Sequence, residues 1–250
     1  MPLQEEFEKQ GLYLFRYRSV QPIIILVIGA AFYVWSQFNP ENLIFSTPTQ
    51  EFYFEIACLM VCLFGLVIRI YTVGHTPKNT SGRNTHDQVA ETVNTTGSYS
   101  LVRHPLYVGN FFMWLGPGLM TQNWWFALLF CTFYWIYYER IMYAEEQFLR
   151  KKFGEQWMNW AKDVPAFFPN FKNFKKSVLP FSWRKIFKKE KNGLAAVFLI
   201  LSVFDIAGEY IKGTTNYNWV LLIGAVVTFI LYIILTILKR KTTLFKEEGR

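Results

Sequence analysis

Charge is scarce in this sequence. Only 18% of its 250 residues are Asp, Glu, Lys or Arg, against roughly 25% in a typical globular chain. That leaves too little polar surface to coat a water-facing sphere. Cysteine is scarce as well. Cys58, Cys62 and Cys131 all lie inside apolar runs, which argues against a disulfide framework or a thiolate zinc site. His75, His86 and His104 form no His-x-x-x-His pair and have no acidic cluster beside them, so no metal centre is expected. What is abundant is apolar. Hydrophobic residues make up 52% of the chain and aromatics 19%, and mean hydropathy is +0.15. Disorder and collagen-like repeats are excluded by the same composition.

The apolar residues fall into runs of membrane-spanning length. A helix needs about 20 mostly apolar residues to cross roughly 30 Å of hydrocarbon. Val20 to Phe38, Phe54 to Val73, Leu106 to Met120, Trp124 to Tyr138, Gly193 to Ile211 and Trp219 to Leu238 meet or approach that length. The third and fourth are joined by Thr121-Gln122-Asn123, a tight hairpin, and Gly116-Pro117-Gly118 is expected to end or kink the third. The first run is read as a retained span, since Phe32-Tyr33-Val34-Trp35 stands where a cleaved leader would carry small residues. The expected fold class is therefore all-α: a polytopic helical membrane protein of about six transmembrane helices.

Basic residues set the orientation. Lys212 is the one Lys or Arg assigned to the far side, whereas the N-terminal arm, the segments before Leu106 and after Tyr138, and the C-terminal tail hold the rest. Both termini are therefore placed in the cytoplasm. The net charge of +8 takes its meaning from this placement. Between Phe171 and Lys191 lie eight Lys or Arg and one Glu, interleaved with aromatics. Such a mixture can grip single-stranded nucleic acid, but between two spans it is read as lying along anionic phospholipid headgroups, with no nucleic-acid partner.

Two polar segments carry the candidate chemistry. After the fourth span, Leu149, Phe153, Trp157, Trp160 and Val164 recur every three or four residues, the pattern of an interfacial amphipathic helix. One turn beyond the membrane exit stand Glu145 and Glu146, preceded by Arg140. Adjacent helical side chains point about 100° apart, so one carboxylate is expected to face a cavity and the other water. In the other segment, Pro105 starts the third span and leaves Arg103 and His104 at a helix N-terminus, where free N–H groups favour anions. Tyr107 adds a donor and Gly109 a close-approach point.

The pattern Gly97-x-Tyr99-x-x-x-Arg103-His104-Pro105-x-Tyr107-x-Gly109, followed by Glu145-Glu146-x-x-Leu149-x-x-x-Phe153-Gly154 and Val164-Pro165, resembles the isoprenylcysteine carboxyl methyltransferase family and its phospholipid methyltransferase relatives. The resemblance implies an integral membrane enzyme using S-adenosylmethionine, with a cofactor pocket on the cytoplasmic face between the loop before the third span and the helix after the fourth. It divides the chain into an arm and first span (1–53), a methyltransferase core (54–171), and a basic linker with a final helix pair (172–250). Carried over by position, Val93, Asn94, Tyr99, His104, Pro105, Leu106, Tyr107, Gly109 and Glu145 bind the cofactor, with the run from Glu91 to Asn94 along its adenosine part. Arg103, His104 and Arg140 are the candidate catalytic residues. The family carries its acceptor-side arginine four residues before the glutamate, where this chain has Ile141, so Arg140 is one position out of register. The implied acceptor is a membrane lipid or lipid-anchored group, methylated on oxygen, since an anion needs no general base. The alternative is a transporter or lipid-binding protein using Asp205 and Glu209, which stand i,i+4 in the fifth run.

Overall fold

The structure is a computed structural model that describes residues 2–77, 88–247 and 249; His86 lies outside the described residues. Among them the chain is helical: α1 (Leu3–Arg16), α2 (Gln21–Phe38), α3 (Pro48–Gly74), α4 (Pro105–Met120), α5 (Trp124–Phe153), α6 (Glu155–Ala161), α7 (Trp183–Lys189), α8 (Lys191–Lys212) and α9 (Trp219–Lys241). α3, α8 and α9 are long and apolar enough to cross a membrane, and Pro22–Phe38 is a shorter apolar helix. Their exposed faces carry Phe64 and Val67 on α3, Leu199 and Val203 on α8, and Ile223, Val226 and Ile230 on α9. Such a surface suits lipid rather than water, and this is an integral membrane protein.

The closest packing joins α3 to α4, and small residues make it possible. A Cβ on Gly116 would meet Cys62 Sγ at 2.1 Å and the Cys58 carbonyl oxygen at 2.7 Å. A Cβ on Gly65 would meet the Gly109 carbonyl oxygen at 2.4 Å. The helix does not end at Gly116-Pro117-Gly118: α4 runs through Pro117 to Met120, and Gly116 serves the contact with α3. Cys58 and Cys62 belong to a core with Leu59, Met120, Leu201, Phe204 and Leu221. A second core gathers Phe126, Phe130, Tyr134, Tyr138 and Ile141 of α5 with Phe15 of α1.

The turn after α4 forms as its residues require. Gln122 takes φ of 52° and binds Phe45 through both ends of its amide. Asn123 caps α5 by accepting from Phe126 N at 2.9 Å. At the same end of the bundle, Glu209 accepts from Thr214 and Asn216, Asp205 accepts from Asn218 N at 3.1 Å, and Lys212 pairs with Glu51. Asp205 and Glu209 thus hold the α8–α9 turn.

The stripe from Leu149 to Val164 departs from expectation. α5 stops at Phe153, Gly154 takes φ of 53°, and α6 begins at Glu155. Trp157 and Val164 are each 6% exposed, and Leu149 and Trp160 line a cavity. Trp157 and Val164 of the stripe are thus covered by protein, and Leu149 and Trp160 turn to the cavity. A periodic pattern reports that a face is covered, and lipid and protein cover it alike.

Candidate active site

The segment ahead of α4 is held in place by backbone pairing. Arg103 N donates to the Pro165 carbonyl at 2.8 Å, His104 N to Ala166 at 3.2 Å, and Asn170 N to Leu101 at 2.9 Å. This is the role of the Val164-Pro165 element: an extended strap docked along residues 101–104. Upstream, Gly97 takes φ of 64°, a left-handed conformation that favours glycine, and pairs with Lys175.

Against this frame α5 presents its two carboxylates, and they divide the work. Glu146 Oε1 accepts from Arg103 Nε at 2.8 Å and lies 3.0 Å from His104 Nε2. Glu145 accepts from the Tyr107 hydroxyl at 2.7 Å and lies 3.5 Å from His104 Nδ1. Both imidazole nitrogens therefore face carboxylates, an arrangement suited to the doubly protonated ring. Burial opposes that charge, but the Glu145 and Glu146 contacts outweigh it and His104 is held above its ordinary 6.5. Burial pushes the Glu146 carboxyl up, yet His104 and Arg103 outweigh it and the net displacement is downward.

A cavity of about 770 Å³ opens beside this cluster, within the roughly 300–1,000 Å³ of small-molecule sites. Its wall brings together Val93, Asn94, Tyr99, His104, Pro105, Leu106, Tyr107 and Glu145. Gly109 is not among the lining residues. Its missing Cβ makes room for the Arg69 side chain at 2.6 Å and the Gly65 carbonyl oxygen at 2.8 Å, so its close approach is to a neighbouring helix. Thr92 lines the cavity while Glu91 does not.

The three candidate catalytic residues fare differently. Arg140 is directed away from the cavity: its guanidinium lies 3.5 Å over the Phe7 ring and bonds Glu139 at 2.8 Å. The one-residue offset accounts for this, because a step of about 100° buries Ile141 completely and turns Arg140 onto α1. Arg103 reaches the cavity wall, but its guanidinium is spent on Glu146 and the carbonyls of Ala161 and Val164. It braces the strap and α6. His104 is clamped between the carboxylates. The expectation that Glu146 meets water is also corrected, since it grips Arg103 and His104 with 18% of its side chain exposed.

Two cations on the wall were missed by sequence reasoning. Arg69 of α3 makes a bidentate pair with Glu190 at 2.8 and 2.7 Å and donates to Asn110 at 2.6 Å. Both partners carried a signal: an arginine in an apolar run, and one glutamate among eight cations. Arg18, in the α1–α2 connection, lines the cavity with Nη1 3.9 Å from Glu145 Oε1. Two buried donors, Gln88 Nε2 and Trp160 Nε1, have no hydrogen-bond partner among the described residues, and both residues line the cavity. Among the described residues no group of three or more His, Cys, Asp or Glu is placed to hold a metal ion.

Residues 54–156, which supply α3, α4 and the carboxylate-bearing part of α5, match the phospholipid methyltransferase family. The similarity to that family thus covers about two fifths of the chain. The human protein-S-isoprenylcysteine O-methyltransferase is 29% identical over 153 residues, covering 58% of this chain and 52% of that protein. The rat enzyme of the same name is 28% identical over 149 residues, with the same shares covered. A nickel-cobalt-cadmium resistance protein, NccN, of Alcaligenes xylosoxydans xylosoxydans is 36% identical over 95 residues, covering 38% of this chain and 42% of that protein. The chain thus spans about half the length of the curated relatives it matches. No solved structure matches it. The residues that carry the resemblance meet here: Arg103, His104, Pro105 and Glu145 line one cavity, and Glu146 bonds Arg103 and His104.

Proposed function

We propose that this protein is an S-adenosylmethionine-dependent methyltransferase acting on an oxygen of a lipid headgroup or a lipid-anchored group. The observation that carries the reading is the cavity beside His104, where Glu145, aromatic faces and unpartnered donors converge. These residues fit the cofactor's chemistry. Glu145 suits its ammonium as a charge-assisted partner. Tyr99 and Tyr107 offer faces to adenine or the sulfonium. Gln88 Nε2 and Trp160 Nε1, buried without acceptors among the described residues, suit its carboxylate or ribose oxygens. The α4 N-terminus adds a positive dipole end.

When bound, this cofactor supplies an electrophilic methyl group: the acceptor oxygen's electron pair forms the new O–C bond as the C–S bond breaks onto sulfur. The chain has no proton to move for an anionic acceptor, so its task is positioning and exclusion of water. Tyr107 fixes the Glu145 carboxylate through a 2.7 Å hydrogen bond, and its own carbonyl is fixed by the Tyr134 hydroxyl at 2.7 Å. Glu146 holds His104 and Arg103, and so holds the loop to the strap. α2, α3, α4, α5, α8 and α9 serve as six spans, with the cavity and both termini at the cytoplasmic face. Exposed Phe171, Phe174, Trp183 and Phe187, with the lysines around them, rest against anionic headgroups. The test is incubation of membranes containing the protein with radiolabelled cofactor: label transferred to a lipid or lipidated protein and released by mild base supports an oxygen ester, and no transferred label refutes the reading.

A further inference from the structure

We propose that Arg69 binds the anionic oxygen group of the methyl acceptor, with Glu190 and Asn110 holding its guanidinium at the cavity wall. The proposal rests on the methyltransferase reading above and deepens it by naming the acceptor's charge and the residue that meets it. An arginine inside an apolar helix is costly unless it has partners and a use. Arg69 stands five residues before the end of α3 at Gly74, and Asn110 five residues after the start of α4 at Pro105. Both therefore lie about 7.5 Å inside their helix ends, a depth that suits the anionic group of a lipid whose chains continue into the bilayer. Trp114, one turn beyond Asn110, and Pro22 of α2 also line the cavity, which gives those chains an apolar wall.

The path of the side chain explains a glycine that the cavity lining left over. A Cβ on Gly109 would meet Arg69 Cγ at 2.6 Å and Cδ at 3.4 Å. The missing side chain lets the arginine stem pass α4, and the guanidinium emerges on the cavity wall. There it is oriented from two sides. Glu190, buried at 4% exposure, accepts from Nε and Nη2 at 2.8 and 2.7 Å, and Asn110 Oδ1 accepts from Nη1 at 2.6 Å. A guanidinium carries five N–H donors. Three are engaged in this way, and one N–H on each terminal nitrogen has no partner among the described residues. The N–H groups of a planar fork match two oxygens of a carboxylate or a phosphate. That is the shared chemistry of the acceptor, whether it belongs to a prenylated cysteine or to a phospholipid. Tyr99 is within reach of this arginine and of the cofactor's proposed partner alike: burial and Glu145 raise its hydroxyl above the ordinary value, and Arg69 draws it back.

Charge disappears during the reaction, and this predicts a kinetic signature. Methylation consumes the acceptor's negative charge, so Arg69 grips the ground state more firmly than the transition state. Its removal raises the acceptor KM and leaves kcat unchanged or slightly higher. An ion pair that does no more than fasten α7 and α8 to α3 behaves differently, because neutralising both members together restores such a protein, acceptor binding included.

The experiment uses the full chain in detergent, with S-adenosylhomocysteine binding measured by calorimetry, a thermal melt, and initial rates for S-farnesylcysteine and dioctanoyl-phosphatidic acid. S-farnesylcysteine carboxamide and dioctanoylglycerol serve as the matching uncharged inhibitors. We expect transfer to one of the two acids, which identifies the anion as carboxylate or phosphate. Arg69→Gln combined with Glu190→Gln removes both charges at once. This variant should fold, keep S-adenosylhomocysteine affinity within about twofold, and raise the acid's KM about 10- to 100-fold, while the uncharged inhibitor binds as before. Arg69→Lys keeps a cation opposite Glu190 without the fork and should raise the same KM about tenfold; it decides the matter if the double variant does not fold. Arg16→Gln, a charge loss at an exposed position of α1, should match wild type. Unchanged acid KM in either Arg69 variant, a parallel loss of S-adenosylhomocysteine binding, an equal weakening of acid and uncharged inhibitor, the same rise in Arg16→Gln, or transfer to neither acid overturns the inference, and the membrane-labelling test still decides the methyltransferase reading. Absence of S-adenosylhomocysteine binding in wild type overturns both.

Discussion

Replacing Glu145 by Gln keeps the side chain's shape and removes its charge. The amide retains an oxygen to accept from the Tyr107 hydroxyl, which holds Glu145 at 2.7 Å. The contacts that lose charge are long, 3.5 Å to His104 Nδ1 and 3.9 Å to Arg18, and 23% of the Glu145 side chain is exposed. The cost to the free protein is therefore small, about 1 kcal/mol or less, equivalent to no more than about 2–4 °C in Tm for a chain of this size. The cost to the complex is larger. A hydrogen bond to a charged group is worth about 1.5–3 kcal/mol, and each 1.4 kcal/mol is about tenfold. Glu145→Gln should therefore weaken S-adenosylhomocysteine binding about 10- to 100-fold, read by calorimetry beside a thermal melt of the same preparation. Near-normal affinity, or a loss of affinity accompanied by an equal loss of Tm, refutes the assignment of Glu145 to the cofactor.

The neighbouring carboxylate should behave in the opposite way. Glu146→Ala leaves Arg103 Nε and His104 Nε2 without this carboxylate, and should cost about 1–3 kcal/mol of stability, visible in the melt with or without ligand. The pH dependence follows from His104. Its folded value lies above 6.5, so the stabilisation it contributes is complete below pH 6.5 and declines as pH rises through the raised value. His104→Gln should lose that alkaline decline, and a wild-type melt that stays flat above pH 6.5 would contradict the charged clamp. Gly116→Val places a side chain where even a Cβ meets Cys62 Sγ at 2.1 Å, and should lower stability by about 1–3 kcal/mol through overpacking; an unshifted melt would mean α3 and α4 are not in close contact.

Helices were the most legible feature of the sequence, because an uncharged run of membrane length has few other uses. Val20 to Phe38 became α2 within a residue, and Trp219 to Leu238 became α9 with three more residues at its end. Local punctuation was less legible. Gly116-Pro117-Gly118 carries the marks of a helix end, yet α4 runs on through it and Gly116 is a point of close packing against α3. The site divided along similar lines. Tyr99, His104, Tyr107 and Glu145 meet as their linear pattern implied, since loop and helix are each placed by local rules. Arg140 did not follow, because one residue of register on a helix decides which side it faces. The place of Arg18 and the pairing of Arg69 with Glu190 were not legible for a different reason. The members of that pair lie 121 positions apart, and Arg18 is farther still from its α5 neighbour Glu145, so only tertiary packing brings them together.

The account stands on a methyl donor held between the segment 88–107 and the part of α5 and α6 from Tyr138 to Trp160. Ultraviolet crosslinking of radiolabelled S-adenosylmethionine to the purified protein, followed by peptide mapping, tests this directly. The predicted result is label confined to those two segments and competed away by unlabelled S-adenosylhomocysteine. Label on α8 or α9 alone, or label that the competitor does not displace, would contradict it.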